Sequence, residues 1–159
     1  MKFTILCVGK VKEKFYREAI NEYTKRLSRY GDINIIEVAD EKTPDQASEA
    51  VELQIKETEG QRLLAKMRDN MYVITLDLKG KTYDSVAFSE KISDLKLRGN
   101  SHLVFVIGGS LGLSKSLLDR ADESVSFSKM TFPHQLMRVI LLEQIYRACR
   151  IEHKEPYHK

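Results

Sequence analysis

The chain has 159 residues, enough for one domain that buries about 70% of its unfolded surface in a single core and needs no disulfide scaffold. Its 26 Lys and Arg against 23 Asp and Glu leave a net charge of only +3, and no apolar run approaches membrane-spanning length, so a helical membrane protein is excluded and a cytoplasmic protein is expected. The two cysteines, Cys7 and Cys149, lie in apolar runs with no CxxC and no metal-ligand spacing around them, which reads as buried thiols in a reducing compartment and no metal site.

The charge is unevenly spread. Residues 1–30 carry eight Lys/Arg against three acids and residues 129–159 carry six against three, whereas residues 31–80 carry six against eleven. Two basic ends around an acidic middle suit a chain that meets a polyanion on one face, although solvated charge produces the same pattern.

The opening MKFTILCVGK has too short an apolar run for a signal peptide and reads as a buried first strand, FTILCV (3–8). Phe15, Tyr16, Ala19, Ile20, Tyr23, Leu27 and Tyr30 then recur at helical spacing up to Gly31. A second strand, INIIEV (33–38), is followed by Thr43, Pro44 and Gln46, which offer an N-cap, a proline at the first helical position and a capping-box partner for a helix to about Met67. MYVITLDL (71–78) is a third strand, LKGK a turn, and a helix from Asp84 or Ser85 buries Phe88, Ile92 and Leu95 before Gly99. HLVFVIGG (102–109) is a fourth strand. A short helix after Ser114, the strand ESVSFS (123–128) and a helix from Pro133 to about Arg150 complete five strand–helix pairs. Strands such as LVFVI are continuously apolar, as required when helices cover both faces, so the expected fold is a single α/β domain over 1–159 with a mainly parallel sheet of five or six strands.

Ligands of such sheets sit beyond the carboxyl ends of the strands. Three ends are chemically unusual: Leu76-Asp77, the glycine-rich GGSLG from Gly108, and Phe127-Ser128. GGSLG serves either a nucleoside-like ligand held by peptide groups or simply a tight turn. A dinucleotide-binding oxidoreductase is disfavoured, because the first turn, VGKVKEKF, has one glycine and several lysines instead of GxGxxG. No GxxxxGK[ST] or HExxH is present either.

From Leu136 to Leu142 every residue but Arg138 is apolar. A helix apolar all round must be covered on several sides, which predicts a two-fold homodimer. Glu143, Arg147 and Arg150 share one wedge of the same helix, and the chain ends in EPYHK. The wedge fits a solvent-facing salt bridge, or a phosphate-binding fork backed by the histidine and tyrosine of the tail.

IGGSLG, LSKSLLDRAD, SFSKMTFPHQLMRVILLEQIYRA and the terminal PYHK together closely resemble the ribosomal large subunit pseudouridine methyltransferase H family of the SPOUT superfamily. The specific resemblance covers about residues 71–159; the first 70 agree mainly in βαβα order. It implies a C-terminal trefoil knot, which periodicity and spacing do not show, and a homodimer that binds S-adenosylmethionine through Leu76, Gly108, Phe127, Ser128, Lys129, Met130, Thr131 and Phe132. The implied substrate is N3 of a pseudouridine in the helix 69 stem-loop of 23S rRNA, methylated in the assembled ribosome. His134, Tyr157 and His158 are the candidates for proton handling or base placement, and Arg138 and Arg147 for charge stabilisation or phosphate contact. A ribosome-binding module that has lost the cofactor is the competing expectation.

Overall fold

The computed structural model describes residues 1–159. Strands and helices alternate throughout: β1 (Lys2–Val8), α1 (Lys14–Leu27), β2 (Asp32–Val38), α2 (Glu49–Leu64), β3 (Tyr72–Thr82), α3 (Ser85–Leu97), β4 (His102–Ile107), α4 (Lys115–Arg120), β5 (Glu123–Ser126) and α5 (His134–Glu152). All pairings are parallel, in one sheet of order β2-β1-β4-β3-β5. Every strand therefore ends at the same edge of the sheet, and every helix starts there.

The continuous apolar strands do what two-faced burial demands. Along β1, Phe3, Ile5 and Cys7 enter a core shared with Ile20 and Leu27 of α1, Phe88 and Ile92 of α3, and Leu141, Leu142 and Ile145 of α5. Leu6 and Val8 point the other way and pack with Leu63 of α2 and Leu117 of α4. Successive side chains of a strand alternate sides, so β1 needs apolar residues at consecutive positions to seal both layers. Three helices thus cover one face and two the other.

Two expectations from sequence are corrected. The helix predicted from Thr43-Pro44 starts instead at Glu49. Gln46 sits in left-handed backbone at φ 54°, which no helix running from residue 44 can contain. Ser48 caps it, its side chain accepting from the Val51 N–H at 3.2 Å, with Glu49 and Glu52 in the first turn. LKGK is not a plain turn either: β3 continues to Thr82, and residues between Leu76 and Lys81 bulge out of its pairing with Val125. The fifth strand and the last helix hold close to their predicted bounds. No helix is long and apolar enough to cross a membrane.

Removing the observed cap should cost more than removing the predicted one. Ser48→Ala is expected to lower unfolding free energy by about 1 kcal/mol and Thr43→Ala by less than about 0.5 kcal/mol, read from urea midpoints at constant slope.

Candidate active site

The strand order explains why three separate stretches of sequence meet. Between β5, which ends at Ser126, and β1, beside which α5 begins, lie only β3 and β4. The chain from Ser126 to His134 must cross those two strand ends, about 14 Å at ~4.8 Å per strand, and His134 lies 3.6 Å from where a Cβ on Gly9 would stand. Residues 127–132 are thereby carried past the ends of β3, with Leu76, and β4, with Gly108.

That crossing segment keeps its peptide groups free of main-chain partners. None of residues 127–132 forms a main-chain bond to another peptide group. It is shaped by side chains instead: Ser126 Oγ donates to the Ser128 carbonyl at 3.0 Å, and Ser128 Oγ accepts from the Met130 N–H at 2.9 Å. Phe127 anchors it edge-on against Phe88, with centroids 6.0 Å apart. Lys129, Met130 and Thr131 are exposed, Met130 by 72%. Unpaired peptide groups beside an exposed thioether suit a flat ligand with a polar edge.

The glycine turn after β4 is closed on itself. Gly112 N–H donates to the Gly109 carbonyl at 3.1 Å, and Gly112 adopts φ 89°, where a side chain would strain. A Cβ on Gly108 would stand 2.8 Å from the Leu113 side chain. Beneath the turn lies a residue that sequence reasoning missed, Glu59 of α2. It is 5% exposed, its carboxylate accepts from the Glu41 N–H at 3.0 Å, and it would stand 3.0 Å from a Cβ on Gly109. Burial pushes its carboxyl above the usual range. Its i,i+4 spacing with Ile55 and Leu63, both buried, was the available signal.

The five predicted catalytic side chains divide into two groups. Arg147, Tyr157 and His158 come together around Glu143. Arg147 donates to Glu143 Oε1 through Nε at 3.1 Å and Nη2 at 2.7 Å, and Tyr157 Oη donates to the same oxygen at 3.1 Å. Arg147 also stacks 4.7 Å from the Tyr157 ring centroid and meets His158 Nδ1 at 3.2 Å. Burial and the bond to Glu143 push the Tyr157 phenol upward, so it stays a donor at neutral pH.

His134 and Arg138 lie at the other end of α5. Arg138 does not face outward as an RNA contact would: it is 1% exposed, with Nη1 2.5 Å from Glu37 Oε2 and Nη2 donating to the Gly9 carbonyl at 2.7 Å. His134 is half-buried with Nδ1 unpartnered, and burial, then Arg138, lower its pKa. From residue 134 to residue 147 a helix rises about 20 Å at ~1.5 Å per residue. The tail cluster therefore sits more than three turns along α5 from the helix start that adjoins the donor segment.

The outward stripe of α5, including Leu136 and Ile140, remains only half-buried. Ile140 and Gln144 line a cleft of about 300 Å³ together with Tyr83, Phe88 and Phe127.

Comparison with known proteins adds relatives of matching length. A family model described as "Predicted SPOUT methyltransferase" matches residues 1–158. Ribosomal RNA large subunit methyltransferase H of Clostridium novyi (strain NT) is 63% identical over 159 residues, covering 100% of both chains. Proteins of the same name from Clostridium botulinum (strain Eklund 17B / Type B) and Clostridium tetani (strain Massachusetts / E88) are 62% and 61% identical, also over 100% of both chains.

Two outcomes follow for the inner end of α5. Arg138→Ala leaves Glu37 without its partner and should destabilise the fold by at least about 2 kcal/mol, less than a fully sealed pair because Glu37 is 36% exposed. His134 and His102 both titrate below the ordinary 6.5, so the unfolded chain binds their protons first. Stability should be intact above pH 6.5 and decline as pH falls below it, and His134→Gln should flatten that decline in thermal scans.

Proposed function

The chain belongs to the SPOUT methyltransferase family, and from that premise we propose that it methylates ribosomal RNA of the large subunit, as its relatives are named for doing. The reaction is transfer of a methyl group from S-adenosylmethionine to N3 of a pseudouridine in the helix 69 stem-loop of 23S rRNA, on assembled ribosomes in the cytoplasm. The enzyme works as a two-fold homodimer, and the trefoil threading of the family belongs to this reading.

The observation that carries it is the separation along α5. The free peptide groups of 127–132, passing Leu76 and Gly108, fit a nucleoside-like methyl donor. The cluster of proton-handling and anion-stabilising groups formed by Arg147, Tyr157 and His158 lies at the far end of the same helix. A partner packed in antiparallel sense on the half-buried stripe of Leu136 and Ile140 brings its tail to that donor site. Each active site then consists of the cofactor loops of one subunit and the tail of the other.

When bound, S-adenosylmethionine supplies a methyl group already activated by its positive sulfur, so the chain needs neither a nucleophile nor a metal. Its own residues orient N3 and remove one proton. Arg147, oriented by Glu143 through Nε and Nη2, turns its Nη1 side to the ring oxygens, where negative charge grows as the imide proton departs. Tyr157, its O–H held by Glu143, offers its ring to fix the plane of the base. His158, once its Nδ1 is released from Arg147, accepts the N3 proton there and passes it to water.

Arg147→Ala, Tyr157→Phe and His158→Ala should each lower the methylation rate by at least about 10²-fold while leaving S-adenosylmethionine affinity unchanged by calorimetry. Full rates in all three would refute these roles, and no heat with the donor at millimolar concentration would favour the ribosome-binding module. Mixing Arg147→Ala chains with Gly108→Val chains tests sharing. Statistical heterodimers of a two-fold enzyme retain one complete site and should restore about a quarter of the wild-type rate, whereas sites contained within one subunit would restore none.

A further inference from the structure

The first turn of the sheet, VGKVKEKFY, is left unused by the reaction, yet it is held more firmly than a connecting loop requires. Gly9, at φ 86°, donates through its N–H to the Val38 carbonyl at 2.8 Å, and its own carbonyl accepts from Arg138. The Lys12 N–H donates to Gln135 Oε1 at 3.0 Å. Arg17 reaches back from α1, its Nη1 donating to the Lys12 carbonyl at 2.9 Å and the Val11 carbonyl at 3.3 Å. Gln135 and Arg138 belong to the helix that 127–132 launches, so the turn is fastened to the donor segment.

What this rigid turn displays breaks the ordinary rules of a surface. Phe15 is 61% exposed and packs against Tyr16 at 4.4 Å between centroids, the rings tilted by 54°. Lys10, Lys12 and Lys14 are exposed around it; only Lys14 has a carboxylate partner, Glu18, at 3.7 Å. Helix α1 begins with no side-chain cap and no acid in its first turn, placing a lysine where an acidic residue would be favoured. An exposed Phe15 backed by the half-buried Tyr16 and flanked by the unpaired Lys10 and Lys12 costs solubility and local stability, and it matches what single-stranded RNA requires: a platform for an unstacked base and cations for the flanking phosphates.

We propose that residues 10–16 form an RNA-binding element beside the donor site, with Phe15 stacking on an unpaired base near the target nucleotide and Lys10 and Lys12 contacting its backbone. The proposal rests on the rRNA methyltransferase reading and adds to it a second contact region, separate from the tail. Arg138 is here a positioning residue, holding the turn by its Gly9 carbonyl.

The test measures binding of the full-length homodimer to purified ribosomes, together with donor affinity and oligomeric state. Phe15→Ala should weaken ribosome binding about tenfold, Phe15→Trp should restore it, and neither should change donor affinity. Lys10→Ser with Lys12→Ser should reduce the slope of log K against log salt by about 1.4, the value for two phosphates of a single strand. Unchanged ribosome binding by Phe15→Ala and the double lysine variant overturns the proposal, as does conversion of Phe15→Ala to a monomer, which would assign the face to a second copy. Ribosome binding that responds as expected in a wild-type protein that transfers no methyl group would overturn the catalytic reading and support this one.

Discussion

A guanidinium cannot shed its charge at any pH the fold survives, so a buried arginine has to be matched from inside, and Arg138 is the largest fully buried side chain here. Glu37 from β2 and the Gly9 carbonyl from the end of β1 meet it in two directions. That one group ties α5 to the two strands farthest from β5, from which the helix was launched. The segment 127–132 is thus stretched between fixed points, Ser126 at one edge of the sheet and the Arg138 anchor near the other. Its conformation depends on that ion pair and on two serine side-chain hydrogen bonds, not on bonds between its own peptide groups.

The same anchor accounts for the asymmetry of α5. Its inner stripe, Leu141, Leu142, Ile145 and Cys149, fills the core against α1 and α3. Cys149, and Cys7 beneath Arg138, are sealed so well that burial pushes both thiols up to about 12. The outer stripe carries apolar groups at the start and the Glu143–Arg147–Tyr157 cluster at the end. Such a helix presents two unlike surfaces on one side, which the proposed two-fold homodimer would bring face to face.

The alternation of five strands with five helices was legible because both layers of a parallel sheet need uninterrupted apolar strands, and LVFVI and FTILCV supply them. Strand order was not legible, since nothing in β4 states that it lies between β1 and β3. The cap at Ser48 was hidden by a better-looking Thr43-Pro44, whose local chemistry lost to the left-handed backbone at Gln46. Leu76, Gly108 and Phe127 stood out because strand ends with glycine or polar residues are rare inside apolar runs. Arg138 and Glu59 were misjudged or missed for one reason: charged residues in sequence carry no label for burial, and only the fold supplies their partners.

The placement of β1 has a consequence for synthesis of the chain. It pairs with β2 through Lys2↔Asp32 and on its other edge with β4 through Lys2↔His102. While the ribosome is still making the middle of the protein, β1 and β2 can form a two-stranded sheet whose inner, most apolar edge has no neighbour. That edge stays unprotected until His102–Ile107 has emerged, and the arginine that locks β1 to the last helix arrives later still. The chain is therefore at its most aggregation-prone while its middle is still being made.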